Sequence, residues 1–471
     1  MRLTDAERAM LDGREGAAKQ KAMDLLMRYG EALGAERLVE TQNVAGAFNA
    51  STPSVRALVA KGYDAVYSEL NLDSREVVPI PKMAVNTCQL ITGIDNENWR
   101  TQGIADELAD QQKKAEGHFG ALGINMFATC TPYQVGNVPV RGEHCAWMES
   151  SAVVYCNSVL GARTNTEGKE STGAAALTGR IPYWGFHIPE NRRGTHLVEV
   201  DIEVDDIMDW GLLGYWLGEI VQEDIPVLTG EMRQPSLIKL KHFGAAAASS
   251  GGVEMYHIPG VTPEANSVEE AFGGRERQDT LRFGAAERKL AYDTLNCATD
   301  RNVDFVMLGC PHNAIEQVWL IASMLEGRKI SPNTQLWVHT PRALREVAER
   351  NGYVKMIRDA GGIVMSDTCP AISRHVPKGT RVIATDSAKQ AHYLPAIVGL
   401  PVWFGSVKNC VEAAISGNWN GGLQRASPKL RAAPRSRSVA ARSWADARKA
   451  KRWSRATPSP AGAASTNAKA Q

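Results

Sequence analysis

VDFVMLGC (303–310) followed by HNAIEQVWLIASMLEG (312–327) sets the architecture of this chain. The first run is short, apolar and ends on Gly-Cys, which reads as a buried strand. The second carries apolar residues at helical spacing, which reads as an amphipathic helix. The unit then repeats. QLWVHT (335–340) is followed by RALREVAERNG (342–352), and GIVMSDTC (362–369) comes next. RVIATDS (381–387) precedes AKQAHYLPAIVG, and VWFGS (402–406) precedes VKNCVEAAISG (407–417). Strands alternating with helices at this spacing require right-handed crossovers and a parallel sheet. Ligands of such sheets sit at the carboxyl ends of the strands. Cys310, Cys369 and the pair Asp386-Ser387 all fall at such ends, so they are expected to line one crevice.

Towards the amino terminus, residues 4–35 are Ala- and Leu-rich and read as helical, with Gly30 and Gly34 as punctuation. RLVET (37–41), DAVYSEL (64–70), GINMFATC (123–130), HLVEVDIEV (196–204), IPVLTG (225–230) and LIKLKHFGAA (237–246) continue the mixture, with Gly-rich joints between them. The fold class is α/β, several lobes built on parallel sheets. One module is expected over 1–422, containing an α/β sub-domain at about 300–418.

The chain has 471 residues and a formal charge of +1, but that charge is a sum over two unlike segments. Residues 423–471 hold 12 Lys and Arg against one acid, Asp446, whereas 1–422 hold 41 bases and 51 acids. The basic segment is Ala, Arg, Ser, Pro and Lys with few aliphatic side chains. It reads as a low-complexity, disordered tail or as unselected, out-of-frame sequence. A nucleic-acid-binding role through that tail is the reading from another class. The acidic body, which would repel phosphate, and the absence of a folded reading element argue against it. The polar N-terminus MRLTDAERAMLDG is unlike a signal peptide, and no apolar run is long enough to span a membrane. Eight cysteines without a CxxC pair argue against a disulfide scaffold and for a reducing cytoplasm.

Three of those cysteines share a setting. Cys130 precedes Thr-Pro, while Cys310 and Cys369 each precede Pro directly. A proline there halts the strand ladder and fixes a turn that holds the sulfur out of the core. Cys88, Cys145, Cys156, Cys297 and Cys410 lack that setting. Cys145 and Cys156 are spaced as on one helical face, and Cys410 sits within a helix. From pattern alone three readings stay open: metal ligation by the trio, three buried structural cysteines, or one nucleophilic cysteine. Three thiolates around iron with one open position would suit the activation of a hydroxyl as a leaving group.

The segment TCTPYQVGNVPVRGEHCAWMESSAVVYCNSVLGARTNTEG (129–168) is dense in polar side chains beside small ones. Gly142-Glu143-His144 is expected to open a helix, with Ser150 and Ser151 one to two turns on, and Asn157, Arg163 and Asn165 at and beyond its end. Arg163 has the fork for a carboxylate. His312 follows Cys310-Pro311 and either orients a ligand or caps a helix. Lys389, after Asp386-Ser387, either binds an anion or sits solvated.

Together these stretches resemble the aconitase X family. The carrying motif is TCTPYQVGNVPVRGEHCAWMESSAVVYCNSVLGARTN, with LGCPHN, SDTCP and ATDSAKQAHY following in family order over essentially 1–422. The resemblance implies an aconitase-like fold with its active site in a central crevice. It also implies an iron–sulfur cluster, [2Fe-2S] or [4Fe-4S], or a mononuclear iron, held by Cys130, Cys310 and Cys369. The implied activity is that of a hydro-lyase acting on a small hydroxy acid. That is dehydration of cis-3-hydroxy-L-proline to Δ1-pyrroline-2-carboxylate, or, as the alternative, of mevalonate 5-phosphate. Glu143, His144, Ser151 and Lys389 are the catalytic candidates, and Asn157, Arg163, Asn165, His312 and Ser387 the substrate-binding ones. The family also uses a small swivel domain, fused or separate. The 49 residues of 423–471 lack the length and apolar content for one, so a separate small subunit is expected. Two departures bear on the substrate: Asn165-Thr166-Glu167-Gly168 has Thr where the family often has Arg, and Asp386-Ser387-Ala388-Lys389 stands where it often has Asn-Ser-Gly-Lys.

Overall fold

In the computed structural model, which describes residues 1–50 and 52–424, the repeats of 303–417 form one five-stranded sheet. Its spatial order is Ile363–Met365, Gln335–His339, Phe305–Leu308, Ile383–Thr385, Val402–Phe404, and every pair is parallel. Strand order reverses between Phe305–Leu308 and Ile383–Thr385, so a crevice opens where Cys310 and Asp386-Ser387 leave the sheet. Val306, Leu308, Leu336 and Val338 are buried beneath the amphipathic helices, Ile315–Leu325 contributing Val318, Ile321, Ala322 and Leu325.

A second sheet, all parallel, has the order Ile124–Asn125, Asn86–Gln89, Asn43–Gly46, Cys145–Trp147. Cys130 lies beyond the carboxyl end of its first strand and Glu149 beyond that of its last. The carboxyl edges of the two sheets are tied together: Thr92 donates N–H and hydroxyl to the Asp367 carbonyl, and Ser366 N–H donates to Asp95. The third sheet, Pro226–Met232, His196–Val204 and Asp279–Phe283, is also parallel. His196–Val204 alternates buried and partly exposed residues as a half-covered strand must. Helices Ile207–Val221 and Leu237–Ser250 then meet along a seam of small residues. A Cβ at Gly214 would lie 2.3 Å from the Phe243 carbonyl oxygen, so only glycine permits this approach. That close packing carries Lys241 and His242 into the interior.

Several local expectations change. The helix expected over 4–35 is two, Asp5–Leu11 and Ala17–Ala32, broken by left-handed Gly13 and Gly16. Gly30 does not end the second helix but lets the Met1 side chain pack against it. Only Ile124–Asn125 of 123–130 is a strand. No helix opens at Gly142: Cys145–Trp147 is a buried strand, and the helix begins at Ser150. Cys145 and Cys156 therefore share no helical face, although both are buried, as is Cys410. No described helix is long and apolar enough to cross a membrane. The expectations for the basic tail concern residues that lie, from 425 on, outside the described residues.

Candidate functional site

Three loops, each leaving a strand's carboxyl end, bring Cys130, Cys310 and Cys369 together, and the ring of His312 fastens them. Its Nδ1 meets Thr129 Oγ1 at 2.9 Å, one residue before Cys130. Its Nε2 meets the Thr368 carbonyl at 3.1 Å, one residue before Cys369. A carbonyl only accepts, so Nε2 carries the proton and Nδ1 accepts from the threonine. The backbone N–H of His312 donates to Cys130 Sγ at 3.3 Å. Burial holds the imidazole pKa down to about 3, so the clamp stays neutral. With both ring nitrogens engaged, His312 orients the cysteine loops.

The sulfurs are buried and sense one another. Burial, then the neighbouring Cys310, Glu149 and Cys369, push the Cys130 thiol well up. Burial and Cys310 push Cys369 up to about 12. Burial also raises Cys310, against the pull of Lys389 and of hydrogen bonds from Gln390 and Ser387. Left to themselves three such thiols stay protonated. A soft, positively charged metal group is what would draw them into thiolates. Sulfur acceptors for such a group already have donors, the His312 N–H and the Gln390 amide, 3.7 Å from Cys369 Sγ. The donor set therefore fits an iron–sulfur group. Among the described residues no three His, Cys, Asp or Glu side chains converge as ligands of a single ion. A cluster spreads its thiolates over several irons and makes no such demand.

Beside the sulfurs lies a buried ion pair, Lys389 Nζ to Glu149 Oε1 at 2.5 Å, with Ser150 Oγ 3.3 Å from the ammonium. Ser151 Oγ donates to the same carboxylate oxygen at 3.0 Å. Burial pushes the Glu149 carboxyl up, but Lys389 and the Ser151 hydroxyl and N–H outweigh it and hold it below the usual range. Lys389 stands in the first turn of helix Ala388–Val398, which Ser387 caps through Gln390 N–H at 3.1 Å. Asp386 is buried with neither oxygen in a well-formed hydrogen bond, and burial raises it to about 6.

Other residues expected at the site lie elsewhere. Strand Cys145–Trp147 separates Glu149 from Glu143 and His144, which sit at its amino end. Glu143 accepts the Val140 N–H. His144 Nδ1 faces His187 Nδ1 at 3.0 Å, and Arg163 Nη1 reaches the His187 carbonyl at 3.4 Å. Asn157, in the wide π-turn Cys156–Leu160, bonds Thr164 through both its N–H and carbonyl, the Glu254 carbonyl and Arg192. Asn165 holds the Trp184 carbonyl and Phe186 N–H. Both amides tie their loop to other segments of the chain, Asn157 to Arg192 and Glu254 and Asn165 to 184–186. Sequence reasoning passed over Glu149, Lys241 and Gln390. Glu149 stands two residues past strand Cys145–Trp147, as Cys310 stands two past Phe305–Leu308, and that strand-end position is the signal that could have found it.

Comparison with known proteins follows the same lines. The chain matches the aconitase X first domain over residues 1–190, the second over 194–293 and the third over 303–416. It is 38% identical to the phosphomevalonate dehydratase large subunit of Methanothermobacter thermautotrophicus, over 87% of this chain and 98% of that one. It is 34% identical to the cis-3-hydroxy-L-proline dehydratase of Pseudomonas aeruginosa, over 90% of this chain and 71% of that protein. The crystal structure of Thermococcus kodakaraensis aconitase X in its holo-form superposes with a TM-score of 0.75 at 31% identity, covering 88% of this chain and all of that one. The chain belongs to the aconitase X family.

Proposed function

We propose that this chain is the large subunit of a hydro-lyase that removes water from a small hydroxy acid, with Cys130, Cys310 and Cys369 holding an iron–sulfur cluster. The observation that carries the reading is the buried Glu149–Lys389 pair set beside three buried thiols where the carboxyl edges of two parallel sheets meet. When bound, the cluster supplies a Lewis acid for the leaving hydroxyl. The chain's own residues do the rest. Glu149 Oε1, kept ionised, is a proton acceptor held in place by Ser151. Lys389 Nζ, kept protonated against the opposing pull of burial by the Glu149 carboxylate and the nearby sulfurs, is a fixed positive charge for the substrate carboxylate as charge builds next to it. Ser387 and Gln390 keep Lys389 in register by capping its helix and bonding Cys369.

The substrate is cis-3-hydroxy-L-proline in this reading. Mevalonate 5-phosphate is the second reading, favoured by the 38% identity and near full-length match to a phosphomevalonate dehydratase large subunit. The names of such relatives support a small partner subunit, which would complete the crevice. The test is anaerobic iron and sulfide content, and turnover of both substrates, with and without a small swivel-domain subunit. Cys130→Ser, Cys310→Ser and Cys369→Ser should each lose iron, while Cys145→Ser and Cys410→Ser keep it. Iron retained in all of the first three sinks the assignment, and full turnover by the single chain sinks the two-subunit reading.

A further inference from the structure

Two lysines are buried near the cysteines, and they differ in one respect. Lys389 has a carboxylate partner in Glu149; Lys241 has no carboxylate within ion-pair distance among the described residues. Lys241 is 2% exposed on helix Leu237–Ser250. Its ammonium donates to two neutral oxygens, the His312 carbonyl at 2.8 Å and Gln317 Oε1 at 2.7 Å. Neither oxygen depends on it: Gln134 also donates to the His312 carbonyl, and Ala314 N–H to Gln317 Oε1. A buried cation satisfied by neutral groups alone has given up its hydration with no countercharge in contact. The acidic groups that face it are Cys130 first, then Asp386, Glu316 and Cys310, while His242 beside it is held neutral by burial. The countercharge that Lys241 lacks is thus largely the one the cysteines would carry as thiolates.

We propose that Lys241 is a positioning residue for the cysteine site, a fixed positive charge that offsets the thiolates of Cys130 and Cys310 and braces the His312 turn between them. This rests on the reading of those cysteines as cluster ligands. It makes Lys241 an unfavourable residue in the metal-free protein and a favourable one in the loaded protein. An ordinary packing lysine would favour both states.

The experiment compares Lys241→Met and Lys241→Gln with wild type, each as metal-free and as iron-loaded full chain. Metal-free variants should melt at or above the wild-type temperature, because no acceptor is orphaned and an uncompensated charge is gone. Loaded variants should melt below loaded wild type and lose iron to a chelator at least tenfold faster. Their reduction potential should move negative, since the positive charge that favours the more negative reduced state is missing. Equal melting losses in both states, failure of the metal-free variants to fold, or unchanged iron retention would each overturn the proposal. Iron kept by Cys130→Ser would instead overturn the ligand reading beneath it. Iron lost by Cys130→Ser but held normally by Lys241→Met removes only the positioning role of Lys241 and leaves the ligands in place.

Discussion

The two ends of strand Cys145–Trp147 carry equally polar sequence and do different work. Beyond its carboxyl end, Glu149, Ser150 and Ser151 meet Lys389 from the five-stranded sheet, close to the cysteines. At its amino end, Glu143, His144 and Arg163 meet His187 and backbone groups of their own lobe. Five residues of extended chain put about 16 Å between His144 and Glu149. Motif density marks both ends alike. The direction of the strand separates them, because a parallel sheet gathers its loops, and so its chemistry, at one edge.

The largest effect expected across this division is at Glu149. Glu149→Gln should lower turnover of the two-subunit enzyme by about 10²- to 10⁴-fold, the range for losing a positioned proton acceptor. Stranding the buried Lys389 ammonium should also lower stability by about 3–5 kcal/mol. His144→Gln should leave turnover within about threefold and cost about 1 kcal/mol, one hydrogen bond. Steady-state kinetics beside thermal melts read both. A His144 variant that folds normally and is inactive would erase the distinction between the ends.

Asn157 should give a smaller effect, on stability alone. It is fully buried and bonds Thr164 twice, the Glu254 carbonyl and Arg192, so Asn157→Ala leaves several groups unpaired. The expected loss is about 3 kcal/mol, with turnover per folded, iron-loaded molecule unchanged. Denaturant unfolding gives the first quantity and active-site titration the second. A drop in turnover per loaded molecule would place Asn157 with the substrate after all.

How far the sequence alone reaches follows from the same geometry. The five strands of 303–404 were legible because each is a short apolar run and four of them precede an amphipathic helix, and local periodicity is enough for that pattern. Cys130, Cys310 and Cys369 were legible as strand-end cysteines followed by turn-forming proline. Glu149 was hidden by its neighbours: Gly142-Glu143-His144 reads as a helix start until the partner strand Asn43–Gly46 is known to pair with Cys145–Trp147. Lys241 was out of reach, because the seam of Gly214 against Phe243 that buries it is a contact between two helices. The π-turn that aims Asn157 inward has no local signature either. Pairings and seams are long-range facts, and the residues placed by them are the ones the sequence left unsorted.

The smallest effect is one of pH, and it separates the ends by window. His187 is buried and held down to about 3 by burial, then by His144, Arg192 and Arg163, whereas an unfolded histidine titrates near 6.5. Between those values the unfolded chain binds a proton that the folded chain refuses. Its contribution to stability is therefore complete above pH 6.5 and falls as pH drops, by about 1.4 kcal/mol per unit once well below 6.5. Glu149 works in a lower window. Its folded pKa is depressed, so its contribution is complete well above the unfolded value of about 4.3 and is lost as pH falls through the folded one. On acidification the His144–His187 end should weaken first, while the Glu149–Lys389 pair still holds. Buried His242, His312 and His339 add to the same slope below 6.5, so His187→Gln should remove one proton's share of it rather than abolish it. Unfolding free energies measured between pH 7 and 5 read that share directly. An unchanged slope in His187→Gln would mean that His187 is protonated in the folded chain, and that the amino end of the strand holds a charge like the carboxyl end does.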